Sequence, residues 1–200
     1  MARPRKQADV NNGNSRNRLI QEAARLFAKL GYERTTMRSI AGATGIGLGS
    51  ITYYFKNKED ILYEVMREII ESGEERALAA VKENLPVLSK LRTLIKIEVE
   101  SFIGDTASIT INEWRCLQRK RQLDLLKHRR TYEDIWLAVL GECHDRGLVR
   151  ARPEIARQLL HGAYASTVAW YRDQLEIDEL VDQILLLITQ RQQSSGAIGV

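Results

Sequence analysis

Residues 36–55 read TMRSIAGATGIGLGSITYYF, and their spacing decides the architecture. Two short helices that cross steeply around a tight turn need a small side chain where they approach, and Ala41 supplies it. The turn needs a residue that tolerates a left-handed backbone, and Gly45 follows four positions later. Ile40, Ile46 and Ile51 stand where apolar side chains must pin the second helix to the first and to the helix before them. The pattern predicts a helix-turn-helix. A plain helical hairpin does not require all of these conditions together.

Outward from this stretch the chain reads as helix throughout, without an internal repeat or a convincing alternating strand. Ser15 is the expected N-cap of a first helix carrying Leu19, Ile20, Ala23, Ala24, Leu26 and Phe27, stopped by Gly31. Asn57 is placed to cap a long helix with Ile61, Leu62, Val65, Met66, Ile69 and Ile70 on one face. Pro86 opens the next, and further helices are expected over 107–121, 123–146, 154–173 and 177–192, with Gly147 as a C-cap. The expected fold class is all-α. A basic disordered arm (1–14) precedes a three-helix helix-turn-helix DNA-binding domain (15–56). A larger helical part (57–192), which the resemblance described below makes a ligand-binding and dimerisation domain, and a tail (193–200) follow.

The charge is unevenly placed. Up to residue 60 eleven Lys and Arg stand against five Asp and Glu, whereas the remainder carries nineteen against twenty-one. Positive charge gathered in the helix-turn-helix portion is the footprint of a nucleic-acid-binding module, although many basic faces are merely solvated. Cys116 and Cys143 have no metal or disulfide spacing, and a reducing cytoplasm suits them. The N-terminal residues lack the apolar run of a signal peptide, and no apolar run approaches a membrane span. His128, His144 and His161 lack metal spacing and no glycine-rich phosphate loop is present, so neither a metal nor a cofactor is called for. Cys143 and His144 are adjacent, and neighbours on a helix point apart, which argues against a nucleophile–base pair and against an enzyme.

The stretch from Leu19 to Leu62, with AARLFAKLGYERTTMRSIAGATGIGLGSITYYFKNKEDIL at its heart, resembles the signature of TetR-family regulators. The resemblance implies an all-helical homodimer with a three-helix DNA-binding domain and a larger helical ligand-binding domain. Carried over by position, it makes Leu48 to Tyr54 the recognition helix, with Gly47, Leu48 and Ser50 at the end that meets base edges. Tyr53 and Tyr54 would offer hydroxyls to phosphates or bases, and Thr36 and Lys58 would hold phosphates. Thr52 stands where many relatives carry tyrosine, and its short side chain is suited to a base or a thymine methyl. Arg3, Arg5 and Lys6 are expected either as a minor-groove arm or as a diffuse basic tail.

The second part offers a ligand set of Ile95, Glu98, Val99, Phe102, Glu113, Trp114, Tyr132, Trp136, Tyr164 and Trp170. Aromatic residues at helical spacing more often build a core than a pocket. Glu98 is the more telling, because it falls on the apolar stripe of Leu91, Leu94, Ile95 and Phe102, and a carboxylate there needs a partner. Glu98 and Glu113 are expected either to accept from a ligand or to pair with an arginine such as Arg115 or Arg119. The run Arg115, Arg119, Lys120, Arg121, Lys127, His128, Arg129 and Arg130 is either a solvated face or an attractor for an anionic ligand. With NEWRCLQRKRQ and VAWYR at 168–172 it is similar to KstR-type regulators of lipid and steroid catabolism, which implies an acyl-CoA effector.

The last helix, with Leu180, Val181 and Ile184 to Ile188, is apolar nearly all round, so it must be buried on more than one side. A subunit interface shared with the 154–173 helix (Leu159, Leu160, Ala163, Thr167) is the economical expectation, and a two-fold dimer implies a palindromic operator. The reading is therefore a ligand-responsive repressor with no membrane partner. A ligand-independent architectural DNA-binding protein and an activator are the alternatives.

Overall fold

Helix α1 (Arg5–Leu30) begins ten residues before the expected Ser15 cap, so residues 5–14 are helical and not a disordered arm. No proline interrupts the chain between residues 5 and 30, and Gly13 costs a helix interior only about 1 kcal/mol. The structure is a computed structural model and describes residues 5–104, 106–171 and 175–189. The start of the expected arm and the expected tail lie outside them.

The described chain forms α2 (Met37–Thr44), α3 (Leu48–Tyr54), α4 (Lys58–Lys82), α5 (Val87–Ile103), α6 (Ala107–Asn112), α7 (Arg119–Asp145), α8 (Pro153–Trp170) and α9 (Ile177–Ile188). It packs as two compact units. Of the described residues, one unit holds those up to Ser72 and those from Gly104 to Arg129, and the other holds Gly73–Ile103 and those from Arg130 onward. The packing thus divides the chain differently from a cut at residue 56, because α6 and the start of α7 return to the helix-turn-helix unit.

In the first unit Leu19, Ile20, Ala23 and Phe27 of α1 meet Ile40, Ile51, Phe55 and the Ile61–Leu62–Val65–Met66 stripe of α4. Each of these side chains larger than Ala23 contributes about 1.5–3 kcal/mol on burial. Gly31 (φ 79°) ends α1, and Asn57 caps α4 by accepting from the Asp60 N–H at 2.9 Å. Ile109, Leu117 and Leu125 close the same core. The single helix expected over 107–121 is broken. Glu113 turns out of α6 so that Oε1 accepts the Tyr32 N–H at 3.0 Å, and a 3₁₀ turn follows over Trp114–Cys116. Gln122 Nε2 then donates to the carbonyls of Trp114 and Leu117 (3.1 and 3.0 Å), which a continuous helix would have used itself.

In the second unit Leu91, Leu94, Ile95 and Val99 of α5 pack with Trp136, Leu140 and Cys143 of α7, Leu160 and Tyr164 of α8, and Leu180, Val181 and Ile184 of α9. α7 ends on Gly147 (φ 68°), and the Leu148 N–H bonds back to the Cys143 carbonyl at 2.8 Å, the six-to-one bond of a Schellman cap. Arg92 ties α5 to Asp178 and Asp182 at the start of α9.

Candidate DNA-binding surface and effector site

Thr36 rather than Thr35 caps α2. The Thr36 hydroxyl oxygen accepts the Ser39 N–H at 3.0 Å while Ser39 Oγ accepts the Thr36 N–H at 2.9 Å. Thr35 is buried instead and donates to the Gly31 carbonyl at 2.9 Å. The exposed Thr36 keeps its hydroxyl proton for an outside acceptor. Gly45 adopts φ 68° between α2 and α3, as the turn requires, and Ile40 and Ile51 are fully buried beneath it.

These anchors leave the other face of α3 open. Gly47, Leu48, Ser50, Thr52 and Tyr53 are exposed, whereas Tyr54 is half-buried with its ring edge-on to Tyr53. Tyr53 is 79% exposed, far beyond what packing would leave on a large aromatic. The Thr52 hydroxyl donates to the Gly49 carbonyl at 2.9 Å, so its bond is made within the helix. Lys58 is half-buried, its ammonium 2.6 Å from the Tyr32 carbonyl oxygen and 3.9 Å from the centre of the Tyr32 ring. That contact secures the loop before α2.

Glu98 takes an arginine, one of the two alternatives expected of it, and Glu113 does not. Glu98 pairs with neither Arg115 nor Arg119, both of which are exposed. Its Oε1 accepts from Arg157 Nη2 at 3.2 Å, its Oε2 accepts from the Tyr132 hydroxyl, and His161 Nδ1 lies 3.6 Å away. Burial alone would push the Glu98 carboxyl up, but His161, Arg157 and Tyr132 outweigh it and hold it below the usual carboxylate range. Arg157 also spans both oxygens of Glu133 (2.8 and 3.0 Å) and stacks over Trp136, 4.6 Å from the ring centre. Glu113, for its part, meets a backbone N–H and Cys116 rather than an arginine.

Of the expected ligand set, Ile95, Glu98, Val99, Phe102, Tyr132, Trp136 and Tyr164 come together in the second unit. Glu113 and Trp114 belong to the first unit, and Trp170 is 51% exposed on α8 with its indole N–H on Ser166. Arg157, Glu133 and His161 were missed. Arg157 lies three and seven positions before Leu160 and Tyr164 on the buried stripe of α8, and a cation in that register was the available signal. Arg157 Nη1 and the Tyr164 hydroxyl are buried without a hydrogen-bond partner among the described residues. The basic run is divided. Arg121 pairs with Asp60, whereas Arg115, Arg119, Lys120, Lys127 and Arg130 are exposed.

Both parts of the chain match known families. Residues 19–65 match the family described as bacterial regulatory proteins, tetR family, and residues 84–191 match the tetracyclin repressor-like C-terminal domain. The chain belongs to the TetR family. It is accordingly a DNA-binding, ligand-responsive transcriptional regulator and not an enzyme. Among its TetR relatives, the HTH-type transcriptional repressor KstR2 of Rhodococcus jostii is 27% identical over 90% of this chain and 93% of its own length. The crystal structure of superantigen PfiT shares 38% identity, with 88% of this chain and 96% of that one covered and a TM-score of 0.78. The regulator FadR of Bacillus subtilis, solved in complex with stearoyl-CoA, is 26% identical, with 85% and 95% covered and a TM-score of 0.71. Among the described residues no helix of this TetR-family chain is long and apolar enough to cross a membrane.

Proposed function

We propose that this TetR-family chain is a cytoplasmic repressor that binds a palindromic operator as a homodimer and is released by an acyl-CoA. The observation that carries the effector reading is the polar group of Glu98, Tyr132, Arg157 and Tyr164 set inside the apolar core of α5, α7 and α8. A core serving only stability gains little from a buried ion pair, since apolar residues of similar volume commonly do as well. The stearoyl-CoA bound to the FadR relative supports the choice of ligand class.

On the DNA side, Gly47, Leu48, Ser50, Thr52 and Tyr53 read bases while Thr36, Tyr54 and Lys58 fix the register on phosphates. The exposure of the α3 face supports the first group. Lys58 already spends N–H bonds on the loop carbonyls, and a further one remains for a phosphate. The dimer is supported by apolar side chains left open on the last two helices. Leu159, Leu186 and Leu187 are 67%, 62% and 85% exposed, while Leu160, Thr167 and Ile184 face the core. The test is to select bound fragments from random DNA, then titrate the complex with acyl-CoA esters of increasing chain length. Release by a subset of them is expected. Release by free drugs but by no ester refutes the effector class, and recovery of non-palindromic sites refutes the dimer reading.

A further inference from the structure

The ionic bonds around Arg157 use Nε and Nη2, and leave Nη1 over. Nη1 is buried with no hydrogen-bond partner among the described residues, and so is the hydroxyl of Tyr164. Arg157 is 2% exposed and Tyr164 fully buried, so bulk water satisfies neither. Their side chains are neighbours across one indole, with the guanidinium 4.6 Å over the Trp136 ring and the Tyr164 ring 6.4 Å from it. An unmade bond at a buried donor is costly, and two against one indole, whose own Nε1 is also without a partner among the described residues, mark a place built for a visitor.

The chemistry of the visitor follows from what is left over. Arg157 Nη1 can only donate, and burial holds the Tyr164 phenol protonated, with its pKa well above the usual range, so it donates as well. A ligand cation has nothing to offer two donors. A ligand anion faces the buried carboxylate of Glu98, which Arg157, Tyr132 and His161 already share. A neutral oxygen with free lone pairs meets both demands. We infer that Arg157 and Tyr164 form an acceptor site for a neutral carbonyl oxygen carried by the apolar part of the effector. In an acyl-CoA this is the thioester carbonyl or a ketone on the chain, and a free fatty acid is excluded. The inference rests on the effector reading above and narrows it.

The experiment uses the full chain, its Tyr164→Phe variant, and three probes: octanoyl-CoA, the thioether S-octyl-CoA and 2-nonanone. Tyr164→Phe removes one oxygen that has no bond to lose, so the ligand-free melting temperature is expected to stay level or rise. A fall of several degrees makes the hydroxyl a structural group and overturns the inference. By calorimetry the wild type is expected to bind octanoyl-CoA about tenfold or more tightly than S-octyl-CoA, with the ratio falling to about twofold in the variant. Equal binding of the two by the wild type, or a ratio that survives the substitution, overturns the carbonyl site and leaves the acyl-CoA reading standing. If neither CoA compound binds but 2-nonanone raises the melting temperature of the wild type and not of the variant, the site stands and the acyl-CoA reading falls. No response to any of the three overturns both.

Discussion

Arg157→Met tests whether the second unit is organised around a buried charge. The substitution keeps the volume and removes the guanidinium that answers Glu98, so that carboxylate, 5% exposed, is left with the Tyr132 hydroxyl and His161. Its cheapest escape is to bind a proton. From the ordinary glutamate value of 4.5, holding the acid neutral at pH 7 costs about 3.4 kcal/mol, at about 1.36 kcal/mol for each pH unit crossed. That figure caps the electrostatic loss and lies within the range of about 3–5 kcal/mol for broken buried pairs. It corresponds to a fall in melting temperature of about 10 °C in a chain of this size.

The pH dependence separates this cause from simple mispacking. In the wild type the folded Glu98 titrates below its unfolded value, so its contribution is present above 4.5 and is lost as the pH falls through the lower folded value. In the variant only His161 and Tyr132 are left to oppose burial, and the folded value is expected to rise above 4.5. The variant's stability is then complete below 4.5 and declines as the pH climbs through that raised value. The gap between the two proteins is therefore about 3 kcal/mol at pH 7 and under about 1 kcal/mol at pH 5. Urea unfolding at the two pH values measures it, and Glu98→Gln added to the variant should flatten the pH dependence. A gap below about 1 kcal/mol at pH 7, as for an exposed pair, or one that ignores pH shows that no buried charge organises this unit.

Three further outcomes are expected. Gly45→Ala meets no atom within 4 Å, so its cost is the backbone alone at φ 68°, about 1–2 kcal/mol, and urea unfolding together with weakened operator affinity reads it. Lys58→Ala weakens binding to every DNA sequence and lowers the slope of log K against log salt by about one; an unchanged slope confines Lys58 to the Tyr32 loop. Leu187→Glu places a charge on the most exposed of the large apolar side chains of α9, and sedimentation should find monomer where the wild type is dimer, with the circular dichroism of the two alike.

What could be read from the sequence depended on how far apart the interacting residues lie along the chain. Ala41, Gly45 and Ile51 declare the helix-turn-helix because the constraint closes within about three turns of chain, where helical periodicity is a reliable ruler. The break at Glu113 was hidden because its cause, the Tyr32 N–H, lies 81 residues away, and nothing local distinguishes it from a helix interior. The start of α1 was misplaced for the opposite reason: Ser15 is a good cap by type, but a cap functions only where the helix has a reason to stop. Glu98 shows the middle case. Its place on an apolar stripe announces that a partner must exist, but nothing in the local sequence says which arginine it is. The actual partner, Arg157, sits on the same kind of stripe in α8, 59 residues on. Two helices that each bury one charge in register with their apolar residues identify each other, since neither charge is tolerable alone. In an all-helical chain, pairing such out-of-place charges across stripes is a better guide to the interior than pairing neighbours along the backbone.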